Sequence, residues 1–234
     1  VAEPDPRPAI GGSGRLLPLS LTALAALLAG VLLGWLVFAP HHPDGDSPEA
    51  GFARDMSEHH AQAVEMSLLT LQRADSRDVA ALAYDIATSQ QNQLGQMEAW
   101  LRVWDLPTAR SGARMEWMAE HEAHAAHAEP EGDAPMPGMA TSEEMQQLRE
   151  ADGREAEILF LQLMITHHES GVTMAQAAYD LSAEAEVSRI ALAMVRAQES
   201  EIAAMTAMLE ERGAERPESI TTESGADGGH GDHR

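Results

Sequence analysis

The sequence predicts an all-α protein, a four-helix bundle built from two duplicated αα-hairpins and preceded by one transmembrane helix. Three observations predict it. The segment beginning at Phe52 recurs in register at Phe160, an offset of 108 residues. Both copies carry apolar residues at helical spacing. The composition, 44% apolar but only 4% aromatic, builds a core from Ala, Leu and Met, which favours helices. No strand pattern competes.

The elements follow in order. Residues 1–15 form a short N-terminus. Residues 16–39 (LLPLSLTALAALLAGVLLGWLVFA) carry no charge and, at about 1.5 Å per residue, span roughly 36 Å, enough for a bilayer core of about 30 Å. Trp35 and Phe38 sit where interfacial aromatics belong. A cleaved signal peptide is the rival reading, but its apolar region would be unusually long and Pro40 would follow the cut. Arg7 and Arg15 precede the segment, whereas Asp44, Asp46 and Glu49 follow it. The positive-inside rule therefore predicts a single-pass membrane protein with a cytoplasmic N-terminus and an extracytoplasmic main domain.

Residues 40–50 (PHHPDGDSPEA) read as a linker, and residues 214–234 as a disordered acidic tail. Between them lies the duplicated domain, 51–213. Phe52, Met56, His59 and His60 align with Phe160, Met164, His167 and His168. Val64 and Met66 align with Val172 and Met174. The register then continues through Gln90/Gln198, Met97/Met205 and Leu101/Leu209 without net insertion. In the first copy, helices are predicted over 51–73 and 76–104, with Asp75-Ser76 as the cap and Pro107 beyond the stop. In the second they fall at about 154–181 and 183–212, ending at Gly213. Ala83, Ala87, Leu94, Met97 and Leu101 form one apolar stripe. Ala191, Val195, Ile202, Met205 and Leu209 repeat it. An insertion at about 106–153 holds Met115, Met118, His121, His124, His127, Met136 and Met139, then a capping box at Thr141-x-x-Glu144.

Composition excludes several chemistries. The net charge is -23, all 15 cations are arginine, and there is no cysteine. Such a chain repels phosphate, so nucleic acid is not an expected partner. Thiolate zinc sites, iron–sulfur clusters and cysteine nucleophiles are absent. Soft-metal binding would have to rest on Met and His.

Those residues share one helix face. With Met56 at zero and about 100° per residue, His60 falls near +40°, His59 near −60°, Met66 near −80° and Phe52 near −40°. Met164, His167, His168 and Met174 repeat the face. Imidazole suits copper, zinc and nickel, while thioether sulfur selects Cu(I), so the mixed set points to copper. Core packing by methionine is the plain alternative for a single copy. It gives no reason to keep His-His twice. In the insertion, Met115, Met118, His121, His124 and His127 recur every third residue, within reach of one another on a helix. With Met136 and Met139 they form an auxiliary candidate, against the alternative of an incidental polar insertion.

Catalysis is not expected. A di-iron centre needs Glu-x-x-His pairs, and the residues three before the four histidines are Met56, Ser57, Met164 and Ile165. No nucleophile elbow, phosphate loop or H-E-x-x-H motif is present.

The helices DMSEHHAQAVEM and LMITHHESGVTMA, with the Met-Pro-Gly-Met turn ahead of the second, resemble the bacterial domain-of-unknown-function family 305 over about residues 51–212. The resemblance implies a ferritin-like fold and, because the family includes exported copper-binding proteins linked to copper tolerance, a role with copper. By matching positions it implies metal roles for Met56, His59, His60, Met66, Met164, His167, His168 and Met174, extending to Met136 and Met139. One departure is Ala156-Glu157, where the family often has Phe-Asp, so packing is expected to differ there.

Three readings result. The first is a membrane-anchored, extracytoplasmic copper-binding protein for buffering, relay or tolerance, with Cu(I) favoured and Cu(II) allowed. The second is an envelope interaction module whose Met and His only pack the core, with the histidines hydrogen-bonded. The third is a divergent ferritin-like metal oxidase. The separation of His59 and His167 discriminates between them, because histidines on distant outer faces exclude a shared site.

Overall fold

A computed structural model describes residues 16–38, 42–110, 112–119 and 134–217. The expected N-terminus (1–15), most of the acidic tail (218–234) and His121, His124 and His127 lie outside the described residues. Those residues hold six α-helices and no strand. The chain divides into two units, Val1–His42 and Pro43–Arg234.

The first unit contains α1 (Leu16–Phe38). A helix thus forms where the sequence predicts an anchor, yet among the described residues no helix is long and apolar enough to cross a membrane. The expected single-pass topology, with its cytoplasmic N-terminus and extracytoplasmic domain, is overturned.

In the second unit α2 (Pro48–Leu71) packs along α3 (Arg77–Val103), and α5 (Gly153–Leu181) along α6 (Ala185–Glu211). The two hairpins meet through α2 and α5, with the short α4 (Ser142–Glu150) against both. The sequence starts α2 at residue 51. It begins three residues earlier because Ser47 caps it, accepting from Ala50 N at 3.2 Å, with Pro48 in the first turn. Ser76 caps α3, and Thr141 and Glu144 close the capping box of α4. Gly153 opens α5 with φ +53, a conformation that favours glycine, and a Cβ there would meet Asp75 Oδ2 at 2.7 Å.

Two buried glutamates tie the hairpins together. Glu49 of α2 accepts from Ser182 Oγ (2.9 Å) and Ala183 N (2.7 Å), just ahead of α6. Glu157 of α5 sits one offset later and accepts from Asp75 N (3.0 Å) and Ser76 N (2.7 Å), ahead of α3. It also receives Arg212 Nε at 2.9 Å. Burial pushes both carboxyls up, but these donors outweigh it and hold each below the ordinary carboxylate value. The Ala156-Glu157 departure thus has a structural role.

The insertion is anchored by Asp55, a fully buried carboxylate of α2. It accepts from Met115 N (2.9 Å) and Trp117 Nε1 (2.8 Å) and forms an ion pair with Arg110. Met115 has φ 62, and only Glu116–Met118 forms a 3-10 turn. The regular helix suggested by every-third spacing is therefore not present at its described start, because tertiary anchoring sets the backbone there.

The core is split. One apolar cluster joins the N-terminal part of α2 (Phe52, Met56) to the C-terminal part of α5 (Met174, Ala178), with Met97, Leu101 and Met194. The other joins Ala63 and Met66 of α2 to Phe160 and Met164 of α5, with Ile86, Met205 and Leu209. This pairing of opposite halves makes α2 and α5 antiparallel.

Candidate metal centre

Between the two clusters each of the four long helices contributes polar residues. α2 contributes His59 and His60, α5 His167 and His168, α3 Gln90 and Gln93, and α6 Gln198 and Glu201. The four histidines and both Gln90 and Gln198 are buried, none more than 3% exposed. A polar layer thus crosses the middle of an apolar core. Its location follows from the repeat, since each member has its counterpart 108 residues away.

At the centre His59 and His167 lie face to face, ring centroids 3.6 Å apart and planes inclined by 31°. Their neighbours flank them, with centroid separations of 6.4 Å for His59–His60 and 6.3 Å for His167–His168. The two His-His pairs therefore converge. The outer histidines are each tethered once. His60 Nε2 meets Gln93 Oε1 at 2.7 Å, and His168 Nε2 meets Glu201 Oε2 at 2.8 Å. Among the described residues the remaining ring nitrogens are buried without a partner: Nδ1 of His60 and His168, and both nitrogens of His59 and His167. The Oε1 atoms of Gln90 and Gln198 are likewise unpartnered.

Burial drives the pKa values of His59 and His167 well below the ordinary imidazole value, and neighbouring histidines add to the effect. Burial also lowers His60, to about 4, against the opposing hydrogen bond to Gln93. These three rings are neutral at pH 7, the state that ligates metal.

Thioethers bracket the layer. Met56 and Met174 belong to the first cluster, Met66 and Met164 to the second, and all four are fully buried. One methionine from each of α2 and α5 thus stands on either side. Of the auxiliary candidates, Met118, Met136 and Met139 join the Met56/Met174 cluster, and Met115 packs against it half-buried. Among the described residues no group of three or more His, Asp or Glu side chains is gathered to hold a metal ion. Sequence reasoning missed Gln93 and Glu201 as partners of the histidines. Their shared offset was the available signal.

The family described as Domain of unknown function (DUF305) matches residues 49–209. The chain belongs to the DUF305 family. The DUF305 structure described as "putative secreted protein DUF305 from Streptomyces coelicolor" is 45% identical, with a TM-score of 0.67, covering 74% of this chain and 99% of its own. A DUF305 fragment from Deinococcus radiodurans is 32% identical, with a TM-score of 0.57, over 74% of this chain and 99% of that one. CopM in its Cu(I)-bound form shares the fold at 21% identity, with a TM-score of 0.52, over 71% of this chain and 97% of its own. No curated protein matches the chain. Family membership agrees with the motifs that suggested it.

Proposed function

We propose that this DUF305 protein binds Cu(I) in the layer between its two hairpins and serves to buffer or relay it. One observation carries the reading: six imidazole nitrogens are buried in one layer with no partner among the described residues. A buried polar atom left unpaired costs about 1–3 kcal/mol, so native proteins rarely keep several together without a ligand. Two stacked histidines and bracketing methionines form a soft, low-charge donor set, which suits Cu(I) above harder ions, with Cu(II) second. His59, His60, His167 and His168 would supply imidazole nitrogen, and Met56, Met66, Met164 and Met174 thioether sulfur. Met118, Met136 and Met139, with Met115, would serve as an auxiliary thioether store. CopM, which shares the fold, has been solved in Cu(I)-bound and silver-bound forms. The acidic chain would concentrate cations around the domain.

In this reading residues 51–213 are a ferritin-like four-helix bundle made by duplication, with an insertion at about 106–153, and the protein catalyses no reaction. A packing role for the Met and His residues is favoured by their complete burial, but it leaves the ring nitrogens unexplained. A metal oxidase would show iron-dependent oxygen consumption. Titration of the purified protein with Cu(I) and Ag(I) decides the matter. Stoichiometric uptake, abolished when His59, His60, His167 and His168 are replaced by Ala, is the expected result. Absent uptake, or uptake indifferent to those changes, would refute the proposal.

A further inference from the structure

We infer that Glu201 is a positioning residue that commits His168 to offering Nδ1 to a soft metal ion, whereas Gln93 leaves His60 uncommitted, so the two halves of the layer are unequal. The inference rests on the metal-binding reading above and adds which atom ligates and which half binds first.

The argument starts from hydrogen-bond inventory. An ionised carboxylate can only accept. With Glu201 Oε2 at 2.8 Å from His168 Nε2, the ring donates its Nε2 proton to the carboxylate. Only Nδ1 is then left to face a metal ion, and among the described residues that buried atom has no partner. Carboxylates behind metal-ligating histidines fix the tautomer and raise ligand basicity in the same way. In the first repeat Gln93 Oε1 lies 2.7 Å from His60 Nε2. An amide can rotate and present its NH2 group instead, and oxygen and nitrogen exchange places at little cost. In that arrangement His60 carries its proton on Nδ1 and offers no lone pair to the layer. Charge separates the halves further. Glu201 brings a negative charge that an arriving cation neutralises, and Gln93 brings none. The first ion accordingly binds on the His168 side and a second, weaker one on the His60 side.

Two measurements on the full chain test this. Long-range 1H–15N NMR of the metal-free protein reads the tautomers directly. His168 is expected as the Nε2–H form, Glu201→Gln to release it into a tautomer mixture, and Gln93→Glu to lock His60. Glu201→Gln reproduces the side chain that already serves the first repeat, so the variant is expected to fold. Calorimetric titration with Ag(I) should resolve a tight and a weaker event. Glu201→Gln should lower the tight affinity about 10–100-fold, the usual effect of removing such a partner, and Gln93→Glu should strengthen the weaker one. If the wild-type chain takes up no Ag(I), the metal-binding reading itself fails. If it binds Ag(I) but Glu201→Gln leaves either the His168 tautomer or the tight affinity unchanged, the positioning role alone is overturned.

Discussion

The two hairpins are copies of one another, and their differences show what duplication kept and what it released. Both keep the His-His pair, the methionines around it and the buried glutamine at 90 and 198. They diverge behind the outer histidine, with Gln93 against Glu201, and on the face that meets the insertion. Asp55 anchors that insertion in the first copy, and Leu163 stands at the same place in the second. The copies also diverge at position 63, where alanine corresponds to Gly171. A Cβ at Gly171 would come within 2.2 Å of Gln198 Oε1, so the second copy lets its glutamine approach α5 more closely. The conserved set belongs to the polar layer, and the divergent set tunes or supports it.

The largest effect is expected from erasing the insertion anchor. Asp55→Leu gives the first copy the residue of the second. It removes the buried partner of Arg110 and leaves Met115 N and Trp117 Nε1 without an acceptor. Breaking a buried pair from one side costs about 3–5 kcal/mol, and here about 4 kcal/mol is expected. Urea unfolding measures it. A loss below about 1 kcal/mol would mean that Asp55 does not hold the loop.

Acid should separate the copies next. His60 has a folded pKa of about 4 against an ordinary value of 6.5. The unfolded chain therefore binds more protons between these values, so stability falls as pH drops from 6.5 towards 4. The His60 contribution is on the order of 3 kcal/mol across that window. His59 and His167 shift in the same direction and add to it. Gln93→Glu gives His60 the carboxylate of the second copy, which raises its folded pKa and flattens the loss. Unfolding of metal-free protein at pH 7 and pH 4.5 compares the two chains. Equal losses would count against His60 being held neutral by its surroundings.

Much of this was legible in the sequence, and the rest was hidden for identifiable reasons. The offset of 108 announced two helical hairpins, and helical periodicity put Met56, His59 and His60 on one face. Convergence of the faces required a tertiary fact, the antiparallel crossing of α2 and α5 at the histidines. The partners Gln93 and Glu201 went unread because they differ chemically, although the offset pairs them. Glu157 looked like a departure until its contact with the start of α3 showed that it repeats the role of Glu49. Every-third spacing suggested a helix from Met115, but hydrogen bonds to Asp55 hold that residue in a left-handed conformation. For α1, an uncharged run of residues proved insufficient to establish a membrane span.

The smallest expected effect probes the two ends of the layer. Met56 and Met174 share their cluster with Met97, Met118, Met136, Met139 and Met194, whereas Met66 and Met164 have Met145 and Met205 nearby. The insertion thus enriches one end in sulfur. Leucine replaces methionine at nearly constant volume, so each double change should cost less than about 1.5 kcal/mol in stability. Any loss of metal affinity then reports on sulfur and not on packing. Met66→Leu with Met164→Leu should weaken Ag(I) binding several-fold, because few thioethers remain to compensate. Met56→Leu with Met174→Leu should weaken it less, since the insertion methionines stand beside them. The same pair made together with Met118→Leu, Met136→Leu and Met139→Leu should recover the larger loss. Equal effects at both ends would show that the insertion supplies no sulfur to the ion and that its buried methionines serve the core alone.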